Sequence, residues 1–319
     1  MKKIIFYLLF IISLIILLPV IFTNEFETTE VSKELDFDYG EYSNIKLFHA
    51  GENKVEELPL DEYLYGVVAS EMPASFDLEA LKAQAIVART YTIYQISNNS
   101  KHENAHICDN SLCCQAWISK ENRFARWEDD KENEYWEKVL RAVNETKGKI
   151  IYYDDKPINA FFHSNSGGKT ELALNVWGGD YPYLKTVETS GEDAYTSYKS
   201  EVVISKDELV KKMLEKYPEF YINFEDKDTI KIEEYTDSSR VKKIKIGNKV
   251  LSGGEARTLF GLKSSNFIIE ILENEIKFSV TGYGHGVGFS QCGSDQLAKQ
   301  GMKCEENIKH YYKDVSINE

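Results

Sequence analysis

The most apolar stretch of the chain is near its start, where an almost unbroken hydrophobic run covers Ile4 to Phe22. This length suits one membrane-spanning helix of about 20 residues. Lys2 and Lys3 precede the run and acidic residues follow it, which predicts a single-pass anchor with the body on the extracytoplasmic side of the cell membrane. A cleaved signal peptide is the alternative, but no small-x-small cleavage motif follows the run. We therefore predict an uncleaved anchor over residues 1–23.

After the anchor the pattern changes twice. Residues 24–44 are polar, acidic and without helical period, which is typical of a flexible stalk. From residue 45 apolar positions alternate or recur at helical spacing. This pattern predicts an ectodomain over 45–319, either as one domain or as two closely packed lobes.

The ectodomain opens with two predicted strands and two predicted helices: Ile45–Phe48, Lys54–Leu58, Asp61–Ala69 and Leu78–Ile96. Pro73 disfavours helix at Met72, and Asp77 suits the N-cap of the second helix. Glu71 therefore lies in a rigid corner between the two helices. A carboxylate in such a position is either a catalytic acid or an ordinary exposed helix-end residue.

Helical and strand patterns alternate in the rest of the ectodomain. Helical spacing covers Asn122–Asn144, and a hairpin is predicted from Ile150–Tyr153 and Ile158–His163. Strand alternation recurs within Ile230–Ile246 and Phe267–Ser279. The predicted fold class is α+β, with helices and antiparallel strands forming a cleft-bearing ectodomain behind one N-terminal transmembrane helix.

Charge and aromatic content narrow the possible partners. The net charge is −14 and the sequence pI is about 5.1, which argues against nucleic acid as a partner. The chain holds 20 Tyr and 16 Phe. Such residues either line a carbohydrate groove or fill a core.

Three of the five cysteines, Cys108, Cys113 and Cys114, fall in one loop, and His102 and His106 precede them. Thiols and imidazoles are the ligands of zinc, so one histidine with Cys108 and Cys114 predicts a metal site. Cys113 is a candidate fourth ligand, although adjacent side chains rarely reach one ion. A Cys108–Cys114 disulfide is the alternative in an oxidising compartment.

Other segments offer polar groups to a ligand. His163 and Ser164 open a loop rich in hydroxyls and glycines, which fits either sugar or peptide binding or a structural turn. His285 lies among alternating glycines, either to donate to a substrate or to pack inside a tight strand. Lys82 and Arg89 share a face of the second helix, where they either meet an anion or lie along the edge of the core.

Three stretches together resemble one known family. They are Glu71–Ala74 with the helix that follows it, His163–Gly168, and Gly282–Gln291. In this order they are similar to the family of stage II sporulation protein D and the amidase enhancers, and the resemblance spans about Leu47 to Tyr312.

The resemblance implies a function and a site. The implied function is a lytic transglycosylase that cuts peptidoglycan glycan strands after N-acetylmuramic acid during engulfment of the forespore, at the mother-cell membrane facing the septum. The implied catalytic acid is Glu71. The implied substrate-binding residues are Lys82, Gln84, Arg89, Tyr183, Lys185, His163, Ser164 and His285.

The resemblance also implies a cofactor and partners. Related loops bind zinc, which here implies His102, Cys108 and Cys114 as ligands, with cysteine at position 113 where such loops often carry histidine. The implied partners are peptidoglycan and the stage II sporulation proteins P, an amidase and endopeptidase, and M, a membrane scaffold.

One carboxylate suffices for this chemistry if the substrate supplies the nucleophile. Glycoside hydrolases use a pair of carboxylates, and the second candidate that we consider here is Glu171, just after the second matched motif. We expect Glu71, with a raised pKa, to protonate the glycosidic oxygen and then to take the proton of the sugar's own 6-hydroxyl, which leaves a 1,6-anhydro end. Lys82 and Arg89 would hold the lactyl and stem-peptide carboxylates.

Two other functions compete with this hypothesis. The first is a non-catalytic protein that binds peptidoglycan and enhances an amidase. The second is a peptidase that uses Cys108 or Cys114 with His163, which is disfavoured because no predicted helix N-terminus lowers the pKa of either thiol.

Overall fold

The computed structural model describes residues 37–98, 101–128 and 130–318. The predicted anchor over 1–23 and most of the predicted stalk lie outside these residues, so both stay predictions. Within the described ranges, no helix has the length and apolar character that a membrane crossing needs. The unit that carries the candidate site starts at Tyr39.

Helices and strands are mixed along the described chain, as the α+β prediction expects. The helices are α1 (Leu60–Glu71), α2 (Leu78–Ser97), α3 (Lys120–Phe124), α4 (Glu132–Asn144), α5 (Ala173–Val176), α6 (Lys206–Lys216), α7 (Gly253–Phe260), α8 (Gln291–Lys299) and α9 (Cys304–Tyr311). The strands are β1 (Asn44–His49), β2 (Lys54–Pro59), β3 (Ile107–Cys108), β4 (Ile150–Tyr153), β5 (Lys156–Pro157), β6 (Phe162–His163), β7 (Lys199–Ser205), β8 (Ile230–Tyr235), β9 (Val241–Ile246), β10 (Lys249–Ser252), β11 (Phe267–Ile271), β12 (Glu275–Thr281), β13 (Phe289–Ser290) and β14 (Ser316–Asn318).

The strands form small sheets, mostly antiparallel. β1 pairs antiparallel with β2 and parallel with β3. β9 lies between β8 and β10, β12 lies between β7 and β11, and β4 lies between β5 and β14, all antiparallel. β6 and β13 form a separate parallel pair.

The central helix is α2. Every residue from Ala80 to Ile93 except Lys82 is buried. Small and apolar side chains on all sides of a helix are typical of one that is enclosed by its neighbours. Here α1, α4, α8 and α9 pack around it.

Buried apolar side chains form a second cluster within residues 204–280. They come from strands β7 to β12, from helices α6 and α7, and from the segments that connect them. Ile244, Phe267 and Phe278 are at its centre, and Phe278 packs against both Phe260 and Phe267. This second cluster belongs to the same unit as α2.

The corner that follows Glu71 has the predicted form. Met72 adopts an extended conformation that ends α1. The Asp77 side chain accepts a hydrogen bond from the Glu79 N–H at 2.8 Å, which confirms the predicted N-cap. The Asp77 N–H in turn donates to Asp295 Oδ1 at 2.6 Å, so the corner is tied to α8.

The predicted helix over Asn122–Asn144 is wrong, because the chain forms α3 and α4 with a turn between them. Trp127 lies in this turn and contacts Tyr135 on α4, with ring centroids 5.5 Å apart. Eight residues along a continuous helix would separate these side chains by about 12 Å. The aromatic contact therefore needs the break.

The predicted hairpin that starts with β4 is confirmed, but the predicted bounds of its second strand, Ile158–His163, are wrong. A tight turn with left-handed φ at Asp154 and Asp155 leads to β5, which is only two residues long. The chain then leaves this sheet, and β6 pairs with β13 instead. The result matters for function, because the loop after β6 now lies beside the glycine segment that precedes β13.

The fold begins before residue 45. Tyr39 Oη donates to Asp61 Oδ1 at 2.9 Å and accepts from the Gly148 N–H at 3.0 Å. The end of the predicted stalk is therefore bound to α1 and to the loop after α4.

Candidate active site

A cavity of about 910 Å³ opens at the end of α1. Its wall combines the end of α1, the C-terminal part of α2, the cysteine loop, β6 with the loop after it, the glycine segment before β13, and α7. Of the predicted catalytic and substrate-binding residues, it is lined by Glu71, His163, Ser164 and His285.

Glu71 is held by two hydrogen bonds at the cavity wall. Its Oε1 accepts from the Ala116 N–H at 2.6 Å, and its Oε2 accepts from Gln291 Nε2 at 3.5 Å. Burial raises the pKa of Glu71 to about 7, although both hydrogen bonds act to lower it. No cation is among the causes of the shift. A carboxyl group with this pKa can give up and regain a proton near neutral pH.

Among the described residues that line the cavity, Glu71 is the one carboxylate. The other candidate, Glu171, is buried elsewhere and accepts from the Leu172 N–H, Asn175 Nδ2 and two hydroxyls at Thr236 and Ser238. Desolvation opposes these bonds, but together they hold the pKa of Glu171 below its usual value. Glu171 is therefore a fixed acceptor that joins loops, not a second acid for the cavity.

His163 lines the cavity and keeps one buried ring nitrogen without a hydrogen-bond partner in the described residues. Its Nδ1 lies 3.1 Å from the Val287 carbonyl oxygen, and since a carbonyl only accepts, Nδ1 carries the proton. Burial and the nearby Arg240 lower the pKa of His163 to about 3, so the ring is neutral. Its buried Nε2 has no hydrogen-bond partner among the described residues. A hydroxyl or amide N–H of a ligand would satisfy it.

His285 has the opposite tautomer. Its Nδ1 accepts from the Val287 N–H at 3.0 Å, which leaves the proton on Nε2. Burial and the neighbouring His163 lower its pKa well below the usual value. The glycine segment makes this packing feasible: Gly282, Gly284, Gly286 and Gly288 all have positive φ. A Cβ at Gly286 would lie 2.2 Å from Arg240 Nη2, so a larger residue has no room there.

Aromatic rings line much of the remaining wall. Tyr91, Tyr94 and Tyr181 are among the lining residues, and Trp177 and Tyr283 keep 42% and 39% of their surface exposed. Such rings combine apolar faces with polar edges. The lining therefore suits a ligand that is itself both apolar and rich in hydroxyls.

The cysteine loop beside the cavity holds a cluster that fits a metal ion. The donor atoms of His102, Cys108, Cys113 and Cys114 all lie within 4.8 Å of one another. His102 Nε2 is 3.7 Å from Cys113 Sγ and 3.6 Å from Cys114 Sγ, and the two Sγ atoms are 3.8 Å apart. Tetrahedral zinc with its usual bond lengths needs about 3.6 Å between nitrogen and sulfur ligands and about 3.8 Å between two sulfurs.

The structure also shows which of the candidate ligands lie together in this cluster. The N–H groups of Cys113 and Cys114 both donate to the Asn110 carbonyl oxygen, and this turn brings the adjacent thiols together. His106 is not a member of the cluster, and its Nδ1 accepts from the Lys46 N–H. All five cysteines are unpaired, so the structure does not contain the alternative Cys108–Cys114 disulfide.

Comparison with known proteins places the chain in a family. A family model described as Stage II sporulation protein (SpoIID) matches residues 49–153. Stage II sporulation protein D of Bacillus subtilis (strain 168) is 34% identical over 279 residues, which cover 86% of this chain and 79% of the relative. The chain belongs to the stage II sporulation protein D family. The protein of the same name from Bacillus amyloliquefaciens has the same identity and coverage.

The family also reaches proteins with a different name. The amidase enhancer of Bacillus subtilis (strain 168) is 26% identical over 302 residues, which cover 80% of this chain but only 40% of that relative. Family membership therefore supports a role in sporulation and in the cell wall. The names of these relatives do not specify a reaction.

Two of the predicted substrate-binding residues, Arg89 and Lys82, have their charge partners inside the fold. The Arg89 side chain is fully buried, where it bonds Asp61 Oδ1 at 3.3 Å and the Thr146 carbonyl oxygen at 2.7 Å. Lys82 forms ion pairs with Glu79 and Glu145. The two cations do share a face of α2, but that face meets internal anions and the end of α4, and neither residue lines the cavity.

The other three predicted residues also lie outside the cavity lining. Tyr183 is buried and its Oη accepts from the Asn159 N–H at 3.0 Å. Lys185 is exposed but is not part of the wall. Gln84 is buried behind it and accepts from Gln291 Nε2 at 3.3 Å, so it supports the residue that contacts Glu71.

Sequence reasoning missed several residues of the site. Gln291 ends the third matched motif, and its position there was the one available signal. Ala116 contributes only a backbone N–H, which leaves no signal in a sequence. Arg257 lies between the second and third matched motifs, in a segment without a motif of its own, where its pattern resembles that of an ordinary surface helix.

Proposed function

We propose that this chain is a peptidoglycan lytic transglycosylase that cuts the glycan strand after N-acetylmuramic acid. The observation that carries the proposal is Glu71, a half-buried residue whose carboxyl group has a pKa of about 7 and is the one carboxylate in the described lining of the cavity. A hydrolase would need a second carboxylate to activate water or to act as nucleophile. A transglycosylase needs none.

In the proposed reaction Glu71 starts protonated. It donates the proton to the glycosidic oxygen as the bond from that oxygen to the anomeric carbon breaks. The muramyl 6-hydroxyl oxygen then bonds the same carbon, and the Glu71 carboxylate takes the hydroxyl proton. The products are a 1,6-anhydromuramic end and a free hydroxyl on the departing sugar, with no water consumed.

The surroundings of Glu71 support this cycle. Ala116 and Gln291 stabilise the carboxylate form through hydrogen bonds, while burial stabilises the neutral form. His163 and the aromatic rings would position the sugars, since Nε2 of the neutral histidine is an acceptor without a partner in the described residues and the rings offer apolar faces.

The test is digestion of purified glycan strands by the purified protein alone, with product masses read by mass spectrometry. We expect 1,6-anhydromuramic ends, and we expect Glu71→Gln to reduce cleavage by about 10²–10⁴-fold. Glu62→Gln is the matched control, because Glu62 is exposed on the same helix. Reducing ends in place of anhydro ends would contradict the proposal.

A non-catalytic amidase enhancer is the second candidate, favoured by the name of the more distant relative. The same digestion separates the two functions. An enhancer would leave the strands uncut alone, with wild type and Glu71→Gln alike, and would increase cleavage by an added amidase.

We also propose zinc as the metal of the His102, Cys108, Cys113 and Cys114 cluster. Three thiols and one imidazole suit zinc, and four protein ligands leave no open position for a substrate. Zinc would therefore act as a structural cross-link of this loop. The loop lines the cavity and leads directly to Ala116, which holds Glu71.

The cellular setting is proposed from family membership and from the predicted anchor over 1–23. The body would face the septal peptidoglycan from the mother-cell membrane. Stage II sporulation proteins P and M would be its partners.

A further inference from the structure

Arg257 is a cation in the cavity wall that the glycan cleavage described above does not use. It lies on α7, in the part of the chain that forms the second apolar cluster, and it lines the cavity beside Tyr283, Gly284 and His285. Its side chain is half-buried, and burial lowers the pKa of the guanidinium. Arginine nevertheless stays charged in proteins.

Within the residues that the structure describes, the Arg257 guanidinium makes no hydrogen bond and no ion pair. The two fully buried arginines differ from it. Arg89 bonds Asp61 and backbone carbonyls, and Arg240 bonds the Lys169 and Ser166 carbonyl oxygens. Partial burial of an unpaired cation costs free energy. An anion that enters the cavity would pair with the guanidinium and offset this cost.

The charge of the cavity also favours an anion. The charged side chains in its described lining are Glu71, Lys101 and Arg257. Lys101 Nζ already donates to the Cys113 carbonyl oxygen at 2.8 Å. A third cation, Lys263, is exposed outside the lining, with Nζ 4.3 Å from the centre of the ring of the lining residue Tyr283. The cavity is thus locally basic in a chain of net charge −14.

Arg257 also leaves the proposed acid undisturbed. The pKa of Glu71 is shifted by burial and by its two hydrogen bonds, with no contribution from a cation. An anion on Arg257 and a protonated carboxyl group at Glu71 can therefore coexist in one cavity.

We propose that Arg257 binds a carboxylate of the glycan substrate and so determines which sugar is placed at Glu71. This inference rests on the proposed function. In peptidoglycan only alternate sugars carry a lactyl group or a stem peptide, so a cation at a fixed place selects one register of the strand. Guanidinium binds carboxylate through two parallel hydrogen bonds, which adds orientation to attraction. Arg257 would thus bind the substrate carboxylate that the sequence analysis assigns to Lys82 and Arg89.

The test is equilibrium binding by calorimetry with Glu71→Gln as the parent protein, so that no ligand is cleaved. Three ligands are compared: chitotetraose, which is neutral, a peptide-free muramic-acid tetrasaccharide with free lactyl carboxylates, and the same tetrasaccharide with stem peptides. We expect Arg257→Gln to weaken binding of a carboxylate ligand about tenfold or more and to leave chitotetraose unchanged. Dependence on Arg257 with the peptide-free ligand identifies the lactyl carboxylate, and dependence with the peptide-bearing ligand alone identifies the stem peptide.

Two further variants keep the result interpretable. Arg126→Gln removes an exposed arginine outside the cavity and should bind like the parent protein. Arg257→Lys keeps the charge but loses the paired hydrogen bonds, so it should restore part of the affinity. Thermal melting of each variant confirms folding.

Equal binding of all ligands by Arg257→Gln and by Arg126→Gln would overturn the inference, and so would an equal loss for chitotetraose. The outcome is separable from that of the proposed function. Anhydro ends without Arg257 dependence would refute this inference alone. Arg257-dependent binding without any cleavage would refute the transglycosylase and leave the inference intact.

Discussion

Two opposing influences determine the proton affinity of Glu71. Burial raises its pKa, and the Ala116 N–H and the Gln291 amide lower it by stabilising the carboxylate. The balance, about 7, leaves both protonation states accessible near neutral pH. An acid that must first donate and then accept a proton needs this balance.

A pH profile tests this balance. A general acid works in its protonated form, so kcat/KM should fall as pH rises through about 7, the pKa of Glu71. Gln291→Ala removes one group that stabilises the carboxylate. The falling limb should then move to higher pH, by less than about one unit.

Gln300→Ala is the control for this profile, because Gln300 is exposed at the end of the same helix. The two cavity histidines do not obscure the result, because their pKa values are lowered far from this range. A limb that stays in place in Gln291→Ala, or moves to lower pH, would contradict the proposed balance.

Residues whose signal is local can be identified from the sequence, whereas the role of a residue that depends on packing between distant segments cannot. Glu71 stands in a motif with a helix break, and both are local. Lys82 and Arg89 were correctly placed on one face of α2, but spacing cannot say whether that face meets solvent or other helices. Since α2 is enclosed, Arg89 became an internal ion pair with Asp61.

At the scale of elements, local signals predicted well and distant pairings did not. The α1–α2 corner follows from Pro73 and Asp77, which act on their neighbours. The parallel pair of β6 and β13 joins segments far apart in sequence, and each strand is two residues long. Two residues carry no measurable alternation, so no pattern could indicate this pairing.

One glycine shows how an element holds the site. Gly66 lies on α1 where the segment after Ala116 crosses it. A Cβ at this position would lie 2.2 Å from Trp117 Nε1 and 2.7 Å from the Ile118 carbonyl oxygen. A side chain there would have to displace the segment that carries the Ala116 N–H.

We expect Gly66→Ala to lower stability by about 1–3 kcal/mol, despite the better helix propensity of alanine. Activity should fall further than the loss of folded protein explains, because Glu71 loses its hydrogen bond from Ala116. Thermal melting and glycan digestion measure the two effects.

Gly254→Ala is the matched control, on α7. The nearest atom to its Cβ would be Ser252 Oγ at 3.9 Å, so this variant should keep or raise the melting temperature. Equal melting temperatures and equal activities for the two variants would show that α1 does not hold the cysteine loop in the way described.

At the scale of the whole molecule, the cavity depends on segments that are far apart in the chain. The end of α1 supplies Glu71, β6 supplies His163, and α7 supplies Arg257. The cysteine loop forms another part of the wall, with little regular structure to hold it. A metal ion bound by four side chains of this loop would take the place of that structure.

Metal removal tests this role. Purified protein should contain about one zinc ion per chain, and chelation should lower its melting temperature, because a ligand that binds only the folded state stabilises it. Cys113→Ser should retain less zinc and should melt like the chelated protein. Cleavage of glycan should fall in parallel, since the loop leads to the Ala116 N–H that holds Glu71.

Cys304→Ser is the control, because this buried cysteine lies outside the cluster and the variant should keep its zinc. The comparison of Cys113→Ser with Cys304→Ser tests whether Cys113 is the fourth ligand. In the sequence, the adjacency of Cys113 and Cys114 argues against a shared ion, but the turn at Asn110 allows it. Full zinc in Cys113→Ser would remove Cys113 from the site. Absence of zinc together with absence of free thiols at Cys108 and Cys114 would replace the metal with a disulfide, and the stability of the loop would then depend on reduction instead of chelation.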